Sequence, residues 1–169
     1  MKDNQERPVI EAIAYSPLEI VLEVTALLGV VASLAIGFYY WHSLPAAVPL
    51  HFGITGEPDL WGPKLTFWLI PAIGVISYLA MTLTNFFPNT FNYPVPITPE
   101  NIENQYKIAR QVLLCMKAEL TGILLWIEWE MIRVALKQST HLSIFYLLGF
   151  LALLFSTIGF YLRQSYRHK

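Results

Sequence analysis

Two groups of residues in this chain could do chemistry. His51, Glu57, Asp59 and Lys64 stand close together between Leu44 and Lys64, and Lys117, Glu119, Glu128 and Glu130 interrupt an otherwise apolar segment. In the first group an imidazole and two carboxylates, with His42 nearby, are suitable types for proton transfer or for holding a divalent cation. No His-x-x-x-His, His-Glu-x-x-His or cysteine pair fixes a metal geometry, so no metal is expected and His51 and Asp59 are only weak candidates. No Gly-x-Ser-x-Gly elbow, phosphate loop or nucleotide fingerprint is present either. No catalytic residue and no cofactor are assigned, although Glu57 or Asp59 could act as acid or base if burial raised its pKa.

The second group carries a different meaning. A charge inside a bilayer costs on the order of 3 kcal/mol on insertion scales, so such residues are either accommodated at an interface or used. At ~100° per residue Lys117 and Glu128 fall on one side of a helix, and Glu119 and Glu130 on nearly the opposite side. Hydrocarbon placed between Ala118 and Trp129 would leave all four near the interfaces, with Trp126 and Trp129 beside them; this is the arrangement expected. The alternative is a buried carboxylate lining a polar cavity.

The elements that must position these residues follow from backbone chemistry. Pro45, Pro49, Pro58 and Pro63 remove donors and Gly53, Gly56 and Gly62 permit positive φ, so the stretch 44–64 is a folded loop rather than a helix. Gly56-Glu57-Pro58-Asp59 reads as a turn. Phe52 and Trp61 are expected to bury against the membrane end of the chain, with Asp59 bonding to the turn backbone or pairing with Lys64.

The run Leu44-Pro45, Pro49, His51-Phe52, Gly56-Glu57-Pro58-Asp59, Trp61-Gly62 and Lys64, followed by an apolar helix with Pro71, resembles the domain of unknown function 1648 family. The resemblance implies a multi-pass bacterial membrane protein, in a family that includes the immunity protein against the sporulation-delay killing peptide. Gly53 stands where members usually carry Asn, and Pro63 where many carry Ser, so those two positions offer no side-chain amide or hydroxyl. The second half of the chain carries no signature of the immunity protein.

Composition points to the membrane independently. Of 169 residues 55% are hydrophobic and 14% charged, and the mean hydropathy is +0.48, high for a soluble domain. A net charge of −1 argues against a nucleic-acid partner. Cys115, the single cysteine, reads as a small apolar residue in a helix. The residues up to Glu19 form a polar lead-in without a cleavable-signal pattern. Four membrane helices are expected, at about 20–41, 65–84, 111–136 and 142–162, in a single membrane domain 1–169. Gly29, Ser33 and Gly37 line one face of the first helix with small residues, suited to close helix packing. Glu23 reads as interfacial, and Tyr39, Tyr40 and Trp41 as an aromatic belt.

Lys2, Arg7, Lys107, Arg110, Arg163, Arg167 and Lys169 fall on one side of such a bundle, against Lys64, Arg133 and Lys137 on the other. By the positive-inside rule both termini are cytoplasmic and the loop is extracytoplasmic. The expected class is therefore an all-α integral membrane protein of the bacterial cytoplasmic membrane, a four-transmembrane-helix bundle with a Pro/Gly-rich outer loop between helices 1 and 2. Its expected partners are the lipid bilayer and a peptide or another membrane protein. The favoured function is non-enzymatic: peptide-toxin immunity, as the resemblance implies, or envelope signalling through the loop. The alternative is a small membrane enzyme or transporter component using His51 and Asp59, or the charged third helix.

Overall fold

The computed structural model describes residues 14–169; Lys2, Arg7 and most of the polar lead-in lie outside the described residues. Helix α1 runs Pro17–Tyr40. Ser16 Oγ accepts a hydrogen bond from the Glu19 backbone N–H at 3.3 Å, and the Glu19 carboxylate accepts one from the Ser16 N–H at 2.7 Å. This reciprocal capping box, with Pro17 at the first helical position, sets the helix start. The start expected near residue 20 is corrected accordingly.

The stretch expected to be a loop contains a β-hairpin, so the chain is mostly helical rather than all-α. Strand β1, Ala47–Phe52, pairs antiparallel with β2, Pro58–Pro63, from Ala47↔Pro63 to Phe52↔Pro58. Two strands alone are both edges, and edge positions tolerate proline. The register is irregular around Leu50 and His51, where Pro49 cannot donate to a ladder.

A 3-10 turn, Lys64–Trp68, leads into α2, Leu69–Thr84. Pro71 lies in the first turn of α2, where its missing N–H matters little. Helix α3 runs Ile102–Ala135 and α4 runs Ile144–Arg167. The third helix thus begins well before the apolar span expected from residue 111 and close to Thr98-Pro99-Glu100, a sequence suited to a helix start. Its opening turns carry buried Ile102, Gln105 and Tyr106, which anchor it without giving an apolar run.

Three segments, Pro17–Tyr40, Lys64–Thr84 and Ile144–Arg167, are long and apolar enough to cross a membrane. Helix α3, with 34 residues and a length of ~51 Å, is longer than any of these. Its charged side chains keep it outside that group by composition.

Helix α3 is nevertheless the centre of the fold, packing against α1, α2, α4 and β1. Glu19 meets Arg110, Glu23 meets Lys117, Gly29 meets Thr121 and Ser33 meets Glu128, so α1 and α3 run parallel. Helix α2 runs antiparallel to both, with Trp68 against Gly37 at one end and Tyr78 against Glu23 toward the other. The small-residue face of α1 is the surface that meets α3 and the start of α2. A Cβ on Gly29 would lie 3.0 Å from Thr121 Oγ1, and one on Gly37 would lie 3.0 Å from the Trp68 ring. Helix α4 packs chiefly on α3 and leaves most of its surface open.

Candidate functional site

The hairpin is seated on the bundle by its base. Leu44, Val48 and Phe67 join Met131, Ile132 and Ala135 of α3 in one buried cluster, and Pro49 is buried beside them. Tyr40, Trp41, Phe52 and Trp68 pack around this cluster. Lys64 lies over the Trp41 ring, 4.7 Å from its centroid, a cation-π contact that ties the end of β2 to the end of α1. The expected Lys64 to Asp59 pair is absent from the hairpin.

Asp59 instead faces His51, with His51 Nδ1 2.6 Å from Asp59 Oδ1. Both side chains are exposed, His51 at 66% and Asp59 at 53%, so this contact contributes less than about 1 kcal/mol. Pro45, Glu57 and Trp61 are exposed as well, while Phe52, Pro58, Gly62 and Lys64 are half-buried.

The tip is held by backbone. Gly53 N–H donates to Glu57 O and Gly56 N–H donates to Gly53 O, each at 2.8 Å. Gly56 has a φ of +82°, which a side chain rarely adopts. Its carbonyl accepts a 2.8 Å hydrogen bond from the Leu142 N–H, joining the hairpin tip to the α3–α4 connection. A Cβ on Gly56 would collide with the Leu142 carbonyl.

Phe52 and Trp61 were expected to bury and carry the loop's stability. Trp61 is instead 47% exposed, and Val48, at 1%, is the strand residue in the core. Val48→Ala should therefore destabilise the seating by on the order of 1–2 kcal/mol, and Trp61→Ala by no more than about 0.5 kcal/mol. Limited proteolysis of the hairpin in the two variants checks this order: Val48→Ala is expected to be cut faster.

The charged residues of α3 are largely enclosed by the protein itself. Lys117 is 1% exposed, Glu128 0% and Glu130 5%, and helices or neighbouring side chains surround them instead of a water interface. Lys117 Nζ lies 2.5 Å from Glu23 Oε2 and 3.0 Å from Thr82 Oγ1, and 4.7 Å above the Tyr78 ring. The Tyr78 hydroxyl donates to Glu23 Oε1 at 2.7 Å. Glu23 is thus a member of a three-helix cluster. One end of the seam holds Arg110 and Glu19, 2.7 Å apart. Glu128 accepts from the Ser33 hydroxyl, Glu119 accepts from Thr157 of α4 at 2.5 Å, and Glu130 accepts from Arg133 at 2.9 Å.

Sequence reasoning named the four charges of α3 but missed their partners Glu23, Ser33, Tyr78, Thr82, Arg133 and Thr157, and it missed the separate pair of Glu19 and Arg110. A signal for part of this existed. Glu19 and Glu23 lie four apart on α1 while Arg110 and Lys117 lie seven apart on α3, each pair on one helical face. Among the described residues no group of three His, Cys, Asp or Glu side chains is placed to hold a metal ion.

With this geometry in place, comparison with known proteins is informative. Residues 28–75 match the family model DUF1648, a domain of unknown function. That segment is a DUF1648 domain. It takes in the second half of α1, the whole hairpin and the first part of α2, so it contains Ser33 and His51 but no residue of α3. An uncharacterized protein of Archaeoglobus fulgidus is 36% identical over 62 residues, covering 32% of this chain and 34% of the relative. The similarity therefore spans about a third of each protein and extends to an archaeon. No solved structure matches this chain.

Proposed function

We propose that this chain is a non-enzymatic membrane protein that crosses the bilayer four times and uses its DUF1648 hairpin, outside the cell, to recognise a peptide or another membrane protein. The observation that carries the reading is the contrast within the hairpin. Its base is buried in the bundle, while Leu50, Ile54, Leu60 and Trp61 point apolar surface outward around the exposed His51 and Asp59, Ile54 being 93% exposed. Rigid seating beneath an exposed mixed apolar and polar surface suits recognition, because little ordering is needed on binding.

The parallel, in-register packing of α1 and α3 supports four spans. If α1 crosses the bilayer, its partner along the same length crosses with it, and the buried pairs remove most of the cost of the α3 charges. The distribution of Lys and Arg supports cytoplasmic termini, and the resemblance supports a bacterial cytoplasmic membrane and a role in peptide-toxin immunity or envelope signalling. An exposed His-Asp pair open to water suits binding better than proton transfer, which gains from water exclusion.

The test is protection. A bacterial host expressing the chain is challenged with a panel of membrane-active peptides, alongside a triple variant Ile54→Ser, Leu60→Ser, Trp61→Ser and the pair His51→Ala, Asp59→Ala. Protection lost in the triple variant at unchanged membrane abundance is expected. Protection equal to the parent in both variants would remove the hairpin from the function.

A further inference from the structure

The end of the bundle remote from the hairpin contains a cavity of about 590 Å³ between the 84–94 connection, α3 and α4, a volume typical of small-ligand sites. We propose that it holds one acyl chain of a bilayer phospholipid. The inference uses the membrane placement of the chain and is independent of what the hairpin binds.

Shape is the first argument. Along α3 the lining runs from Gln105 to Met116 and along antiparallel α4 from Ser165 to Ile158, so the cavity is a slot parallel to the helices, ~16 Å long. A lipid chain lies in the same direction. Helix α4 rests chiefly on α3, so extensive α2 to α4 packing does not seal the side of the slot.

Polarity is the second argument. Thr90, Asn92, Gln105 and Ser165 lie toward one end, while Val112, Leu113, Met116 and Ile158 line the deeper end, where the Tyr161 hydroxyl lies 3.5 Å from Cys115 Sγ. Most of the polar groups are already engaged. Gln105 donates to the carbonyls of Ser165 and His168 at 2.9 and 3.0 Å and accepts from Ser165 Oγ at 2.5 Å, and Thr90 donates to the Phe87 carbonyl at 2.7 Å. The walls thus ask for contact with methylenes more than for new hydrogen bonds. Among the described residues no cationic side chain lines the slot, which argues against a free fatty acid burying its carboxylate there and for a glycerolipid whose head group stays at the interface.

The protein is reconstituted in nanodiscs containing a phospholipid with a diazirine near the end of one acyl chain, irradiated, and its adducts mapped by mass spectrometry. Adducts at Leu113 and Met116 several-fold above those at the outward Leu148 and Phe155 of α4 are expected. Ala109→Trp, which fills the slot, should lower the inner adducts several-fold and leave the outer ones unchanged; Ala109→Leu is the milder variant should the first misfold. Equal labelling of inner and outer residues, or inner labelling indifferent to both substitutions, would overturn the proposal. So would inner labelling by a diazirine fatty acid but not by the phospholipid. Failure to enter nanodiscs at all would instead overturn the membrane placement.

Discussion

Replacing Lys117 by Met is expected to destabilise the helix bundle by about 3 kcal/mol. Removing one partner of a buried ion pair typically costs ~3–5 kcal/mol because the other charge is left uncompensated. The lower end applies, since the Glu23 side chain is 30% exposed and keeps the Tyr78 hydroxyl as a donor. The loss is one of electrostatics more than of volume, as Met fills most of the space of the Lys stem. The double variant Lys117→Met, Glu23→Gln should therefore recover most of it. Thermal or denaturant unfolding of the purified protein in detergent reads both. A single variant as stable as the parent, or a double variant no better than the single, would show that the pair is not what holds α1 to α3.

The second large effect is expected at the hairpin tip. Gly56→Val would place a β-branched residue at a φ of +82°, at ~1–3 kcal/mol of backbone strain. It would also drive Cβ into the Leu142 carbonyl, so the bond from Leu142 N–H is lost as well. At about 3 kcal/mol in all, the closed tip loses ~100-fold in population against the open one. Protease added from the hairpin side should then cut between Leu50 and Lys64 far faster than in the parent, with the helices still inserted. An unchanged cleavage rate would mean that the contact with the α3–α4 connection does not hold the tip.

These two sites differ in how readable they were. The oddity of Lys117 and Glu128 was visible because charge inside an apolar run stands out, and their angular separation from Glu119 was right: Lys117 and Glu128 face α1 while Glu119 faces α4. What could not be read was burial. Whether a charge near a helix middle is solvated or paired depends on which helices flank it and in which direction they run. Parallel packing of α1 on α3 brings Glu23 to Lys117 across 94 positions of sequence, and no local pattern encodes that.

At the hairpin the prolines and glycines excluded a helix correctly, but they also concealed strands, since both residues are poor strand formers in sheet interiors. A two-stranded hairpin has no interior, which is why the composition did not forbid it. The exposed Trp61 misled for a related reason: a large ring was assumed to need burial, whereas the compact Val48 and Pro49 fit the gap above Ile132 and Phe67. The start of α1 was legible and passed over, because Ser16-Pro17-Leu18-Glu19 is a capping box in plain sequence.

The proposed four spans rest on the parallel pairing of α1 with α3, and the proposed orientation, hairpin outside and both termini inside, rests on the Lys and Arg distribution; one labelling experiment addresses both. In a Cys115→Ala background, Ile54→Cys and Lys169→Cys are each exposed to a membrane-impermeant maleimide on intact spheroplasts and again after permeabilisation. Ile54 is 93% exposed, so reagent access there is not limited by the fold. Four spans with the hairpin outside predict labelling of position 54 on intact spheroplasts and of position 169 only after permeabilisation. Labelling of position 169 on intact spheroplasts, or of position 54 only after permeabilisation, would contradict the account.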